Sequence, residues 1–294
     1  MLTTLLILAA LAATTCILLW QRRSTRTQMV QTALRALDGC AVMLQLVRAL
    51  QQHRGMSVAW LAGDAAFGAQ MAARRQDIDR CIVALEHTAR AEDEMPRACV
   101  THNDLMLFRF QWRELVDLIE QGKAGAEQSI ARHGLLVSRA LEWLAGLGEA
   151  RVELGAAGCV DAGRVRNHIG SLPALAEYLG QARAIGTGVA ARGQCAPVAR
   201  VRLMYLASRI ESLLRQALAA SDDSQAAIDA DRSVGAMMST LRRHLLGGAA
   251  GLNAEAWFAG ATRAIDGVYA WIDECGADLR RELASPSAGL RAAA

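Results

Sequence analysis

Apolar residues recur at steps of three and four along nearly the whole of this chain, and the gaps between periodic stretches divide it into helices. The first stretch has no polar face at all. Met1 to Trp20 carries no charged side chain, and about twenty apolar-rich residues suffice to cross a bilayer as a helix. Trp20 stands where an interfacial aromatic belongs, and Arg22, Arg23 and Arg26 follow it. A cleaved signal peptide needs a basic n-region, and only the α-amine precedes this run. The pattern predicts one uncleaved transmembrane anchor over residues 1–21. By the positive-inside rule the body then lies in the cytoplasm, as expected of a single-pass protein of a bacterial inner membrane.

Beyond the anchor, periodicity predicts a helix from about Thr27 to Leu61, broken at Gly63-Asp64, and a second from Ala65 to about Glu92, ended by the acidic stretch to Pro96. A third, Asn103 to Gln121, aligns Leu105, Phe108, Trp112, Leu115 and Ile119 on one face. A fourth runs from about Gly125 to Leu154. The second half repeats the rhythm. One helix starts at Val165 or Ser171 and reaches about Ala191, with an interruption expected near Pro173. Others cover Val198 to Ala220, Asp222 to Leu246, and Asn253, a plausible N-cap, to about Leu283. A faint internal repeat supports the division: Gln52-His53-Arg54 and Gln181-Ala182-Arg183 place their arginines 129 residues apart. The expected architecture is all-α, with two antiparallel four-helix bundles side by side (about 27–157 and 161–284) and a frayed tail over 285–294.

Composition agrees and adds exclusions. Of 294 residues 53% are apolar and 21% charged, enough to bury a sizeable core, while four prolines and 4% aromatics suit helices better than a sandwich or barrel. A net charge of +3 with no basic run gives no footing for nucleic acid. The seven cysteines are scattered singly, which suggests small buried residues in a reducing compartment rather than a disulfide framework. Neither they nor the six histidines show metal-ligand spacing, so neither metal nor cofactor is expected. No phosphate loop, dinucleotide fingerprint or nucleophile elbow is present, and the chain does not read as an enzyme.

Two arginines stand out. Val47, Leu50, Val58 and Leu61 put Arg54 on the buried stripe, and Leu172, Leu175, Leu179, Gly186 and Ala190 do the same for Arg183. A guanidinium in a core must meet a carboxylate, a cavity or an anion. Gly55, Gly186 and Gly188 follow these arginines and would let a helix or a small ligand approach. Arg242 lies at a stripe's edge and Arg243 faces away, while Arg113, Arg202 and Arg209 sit on solvated flanks.

The segments around these arginines resemble a known family. Leu50-Gln51-Gln52-His53-Arg54-Gly55-Met56-Ser57 resembles the L-Q-x-E-R-G-x-S signature that opens the nitrate- and nitrite-sensing (NIT) domain of bacterial receptors and antiterminators. Leu175 to Gly186 resembles its L-x-E-x-x-G-x-x-R-G-x-G stretch, and Trp257 to Asp266 its closing W-F-x-x-x-T-x-x-I-D helix. The resemblance runs in order over about residues 29–282. It implies two four-helix bundles holding nitrate or nitrite between them through arginines, with Arg54 and Arg183 at matching positions and Arg242, or else Arg243, as a later one. His53 stands where the family usually has Glu or a basic residue, and Ala184 replaces a glycine; both fall beside the expected ligand. Protonation of His53 should then tighten anion binding as pH falls through about 6.5.

The resemblance implies a membrane-anchored sensor that signals to a separate protein partner, with a homodimer as one assembly. A helical scaffold that has lost its ligand is the alternative.

Overall fold

The computed structural model of the chain describes residues 2–221, 224–248 and 251–285, and side chains from residue 11 onward except residue 12. Most of the expected anchor and all but one residue of the expected tail therefore lie outside the described side chains. Among the described residues no helix is long and apolar enough to cross a membrane.

The structure is all-helical. The first element, α1, runs unbroken from Leu2 to Leu61, so the helix expected from Thr27 begins well before it. It is followed by α2 (Phe67–Asp93), α3 (His102–Glu120) and α4 (Ala126–Leu147), then by α5 (Ala162–Arg166), α6 (Leu172–Arg192), α7 (Pro197–Ala219), α8 (Gln225–Thr240) and α9 (Ala254–Ala284). Their starts follow local chemistry. Thr101 caps α3 in a full capping box with Asp104, and Asp161, Ser224 and Asn253 each accept a hydrogen bond from a backbone N–H of the first turn they precede. Gly193, at φ 64°, ends α6 in the left-handed conformation that a side chain would resist.

Helices α1 to α4 pack on one another, with α1 against α2 and α4; α6 to α9 do likewise, with α9 against α6 and α8. The stripe expected on α3 is buried in full: Leu105, Phe108, Trp112, Leu115 and Ile119. The two groups meet where α1 touches α6 and α9.

Three helix ends are widened into π-helical turns: Gly148–Glu153 after α4, Asn167–Ser171 between α5 and α6, and Leu241–Leu246 after α8. The second explains the interruption expected near Pro173. Proline lacks the N–H of an α-helical bond and its ring crowds the preceding turn. Widening that turn absorbs the misfit, so the chain stays helical from Ala162 to Arg192.

Of the glycines beside the two arginines, one brings helices together. A Cβ on Gly186 would lie 2.4 Å from the Trp257 indole, so the bare backbone of α6 is what lets α9 pack its buried tryptophan there. Gly55 is exposed and meets nothing within 4 Å. Opposite outcomes follow for one chemical change. Gly186→Ala should overpack the interface and cost about 1–3 kcal/mol. Gly55→Ala should stabilise the helix by about 0.5–1 kcal/mol. Thermal unfolding of both variants checks the pair; equal melting temperatures would refute this account of Gly186.

Candidate functional site

Four of seven consecutive residues on α1 are polar or charged and buried: Gln51, His53, Arg54 and Ser57. Their partners divide them into two polar strips, Gln51 with Arg54 and His53 with Ser57. Each strip meets a different half of the molecule.

The first strip faces α6 and α9. Arg54, 7% exposed, donates from Nη1 to Glu177 Oε1 at 2.8 Å and from Nη2 to Oε2 at 3.2 Å, a forked pair with both partners buried. Glu177 also accepts from Gln51 Nε2 at 2.8 Å and from Gln181 Nε2 at 2.9 Å, so each carboxylate oxygen holds two donors. Tyr269 on α9 completes the chain by donating to Gln51 Oε1 at 2.9 Å. Burial pushes its phenol up, which keeps it a donor. A Cβ on Gly180 would lie 3.4 Å from Arg54 Nη2, so α6 runs close beside the guanidinium at this turn.

Arg183, six residues beyond Glu177 on α6, is satisfied differently. Its Nη1 donates to Thr262 Oγ1 at 3.0 Å, and its guanidinium carbon sits 4.7 Å from the centre of the Phe258 ring. The Trp257 Nε1–H donates to the Arg183 carbonyl at 3.0 Å, tying this turn of α6 to α9. Among the described residues no carboxylate pairs with Arg183. Its pKa is lowered, first by burial and then by the charge of Arg54, with Asp266 acting the other way. Asp266 itself pairs with Arg48 at 3.2 Å. A cleft of about 380 Å³ between α1 and α9, lined by Arg48, Tyr269, Asp273 and Arg280 among others, opens beside this network.

The second strip faces away from these groups, into the core of α1 to α4. His53 Nδ1 lies 2.8 Å from His133 Nε2, and His133 Nδ1 lies 2.7 Å from the Ser129 carbonyl. A carbonyl only accepts, so His133 carries its proton on Nδ1 and His53 donates to its Nε2. Ser57 donates to the Arg54 carbonyl at 3.0 Å, leaving Ser129 to donate across the 2.9 Å between the two hydroxyls. Trp112 packs edge-on against His53.

The segments Leu50–Ser57, Leu175–Gly186 and Trp257–Asp266, far apart in the chain, thus converge on one cluster, buried at Arg54 and Glu177 and half-buried at Arg183, with the Phe258 ring exposed at its edge. Residues 45–280 match the family profile described as nitrate and nitrite sensing. The chain belongs to the nitrate- and nitrite-sensing family. The solved structure of the NasR transcription antiterminator is similar, with a TM-score of 0.73 over 94% of this chain and 77% of that one, at 21% sequence identity. At that identity the likeness speaks to the fold alone. No curated protein matches the chain.

Against this NIT framework the expected site residues separate. Arg54 and Arg183 are brought together. Arg242 and Arg243 are not: both are exposed on the third π-helical turn, with Arg242 paired to Glu211 and Arg243 weakly bonded to Ser239 at 3.5 Å. Ala184 is exposed on α6, away from where its motif position suggested. Glu177, Gln51, Gln181, Thr262 and Phe258 were not singled out, although all lie inside the quoted segments. His133 had a weaker signal: it falls three and four residues before the buried Leu136 and Val137.

His53 needs a correction. It is buried in the wrong half to meet an anion beside Arg183, and burial, with the nearby charge of Arg75, pushes its pKa down to about 4. Burial, then the neighbouring His53, takes His133 down to about 3. Both rings are neutral near pH 7, so a rise in anion affinity through pH 6.5 is no longer expected of His53.

The pair instead contributes to acid stability. Folded-state values below the ordinary 6.5 mean that the unfolded chain takes up protons first. The contribution is complete above about pH 6.5 and is lost as pH falls toward 4 and 3. Melting temperature should therefore fall steeply across this window. His133→Leu should flatten that slope while lowering stability at pH 7, because it strands the His53 donor; an unchanged slope would exclude the pair as its source.

Proposed function

We propose that this chain binds nitrate or nitrite between α1 and α6 through Arg54 and Arg183, and passes the bound state to a separate partner. The observation that carries the reading is Arg183: a largely buried guanidinium near a second buried guanidinium, with a hydroxyl and an aromatic ring as its neighbours rather than a carboxylate. With both histidines neutral, Arg54, Arg183 and Glu177 leave the cluster one positive charge in surplus. A small monoanion matches that surplus. Nitrate is planar and weakly hydrated, and a guanidinium is planar with parallel N–H donors. The reading takes α1–α4 and α6–α9 as two antiparallel bundles, so an anion shared by α1 and α6 would favour one relative pose of the two. That pose is the signal.

The scaffold alternative has its own observation: the Arg54 fork is already filled by Glu177. Calorimetry of the full chain with nitrate, nitrite, chloride and sulfate separates the two. The best tiny ligands reach about −1.5 kcal/mol per heavy atom, so a four-atom anion is capped near −6 kcal/mol. The matching dissociation constant is on the order of tens of micromolar. Arg183→Ala should abolish binding and leave the fold intact. Arg54→Ala should also abolish it, and should cost about 3–5 kcal/mol of stability, because Glu177 keeps its two amide donors but loses the cation that balances its buried charge. No saturable binding of nitrate or nitrite up to about 10 mM, far weaker than this ceiling, would leave the scaffold reading in place.

Residues 1–21 are proposed as a membrane anchor. Leu11, Ile17, Leu18, Leu19 and Trp20 are exposed on α1, with Trp20 at 70%, and the arginines at 22, 23 and 26 would hold the body on the cytoplasmic side. A reporter fused after Leu283 should be active only as a cytoplasmic fusion. Activity from a periplasmic reporter at that point would reverse the orientation.

A further inference from the structure

Glu177 is the single buried carboxylate in contact with the arginine cluster among the described residues, and it is held unusually well. Two donors come from Arg54, and Gln51 and Gln181 each supply one more. The two amides bond opposite carboxylate oxygens, so Glu177 keeps hydrogen bonds to both oxygens even if the guanidinium turns away. Tyr269 fixes the Gln51 amide in the orientation this needs, because it donates to the oxygen and so leaves the nitrogen for Glu177. Arg54 can therefore exchange partners without leaving a bare buried carboxylate behind.

Resting on the anion-site reading above, we propose that Glu177 is its specificity-determining residue. The carboxylate engages Arg54 when no anion is bound, and its charge leaves the cluster a surplus of one, so a monoanion is admitted and a dianion refused. An incoming anion competes with Glu177 for the Arg54 fork and pairs with Arg183, which has no carboxylate of its own. A dianion would leave the buried cluster with a net negative charge beside a fixed carboxylate, and burial makes such an imbalance unfavourable.

The test is calorimetry on the full chain in detergent, with sodium nitrate and sodium sulfate as titrants. The unaltered chain should bind nitrate and not sulfate. Glu177→Gln, which removes the competitor and raises the surplus to two, should bind nitrate about tenfold or more tightly and gain saturable sulfate binding. Gln181→Lys provides an independent variant that keeps Glu177, retains a donor to it and adds one charge; it too should gain sulfate binding.

If Glu177→Gln is folded but loses nitrate, Glu177 is a strut that aims Arg54 and the proposal is wrong. Continued refusal of sulfate by both variants overturns it as well. Should Glu177→Gln fail to fold, the sulfate response of Gln181→Lys decides alone. Absence of anion binding in the unaltered chain and in both variants is a different failure: it removes the anion site itself, and this inference with it.

Discussion

Arg54 and Glu177 meet where α1 touches α6, and that buried pair constrains much of the surrounding interior. Taking two charges out of water is costly, and it is tolerated only when geometry is good and every remaining lone pair is met. Here the requirement recruits neighbours in turn. Glu177 needs Gln51 and Gln181, and Gln51 needs Tyr269. Three helices from both halves are thereby committed to one arrangement. Apolar packing alone would hold them together, but it would accept small slides that the hydrogen bonds do not.

The same short stretch of α1 is polar on a second side, where His53 and Ser57 meet His133 and Ser129. That network is uncharged, with both imidazoles held neutral by burial. The distinction matters for what each half does. The network of His53, His133, Ser57 and Ser129 satisfies its polar groups internally, whereas the arginine cluster between the halves is left with unbalanced charge. A helix carrying both strips links the two environments through a rigid backbone.

Much of the fold could be read from spacing. Apart from the start of α1, apolar periodicity located the helices to within a few residues, Asn253 was recognisable as a cap, and Arg54 and Arg183 were visible as charges lying in apolar stripes. What spacing cannot supply is the partner across an interface. A stripe says that a residue faces inward and is silent on which residue, 123 positions away, faces back. Glu177 was therefore hidden in plain view between Leu175 and Gly186. Arg242 shows the converse: a π-helical turn begins at Leu241, and the 3.6-residue rule on which its placement relied stops there. The inward burial of His53 was likewise invisible, because α1 is covered on more than one side.

The widened turn at Asn167–Ser171 has a consequence for how the NIT cluster is aimed. A π-helical turn accommodates one residue more than the α-helical turn it replaces, and one residue corresponds to about 100° around a helix axis. Everything downstream on α6 is set at an angle that depends on that extra residue, including both Glu177 and Arg183. A single-residue deletion there would leave composition, charge and hydrophobic content almost untouched, and the helix could close as a regular spiral up to Pro173. Yet the carboxylate and the guanidinium would swing away from α1 and α9 together. The orientation of the site is held by a helical irregularity some six residues before its first charged group, in a segment that contributes no side chain to it.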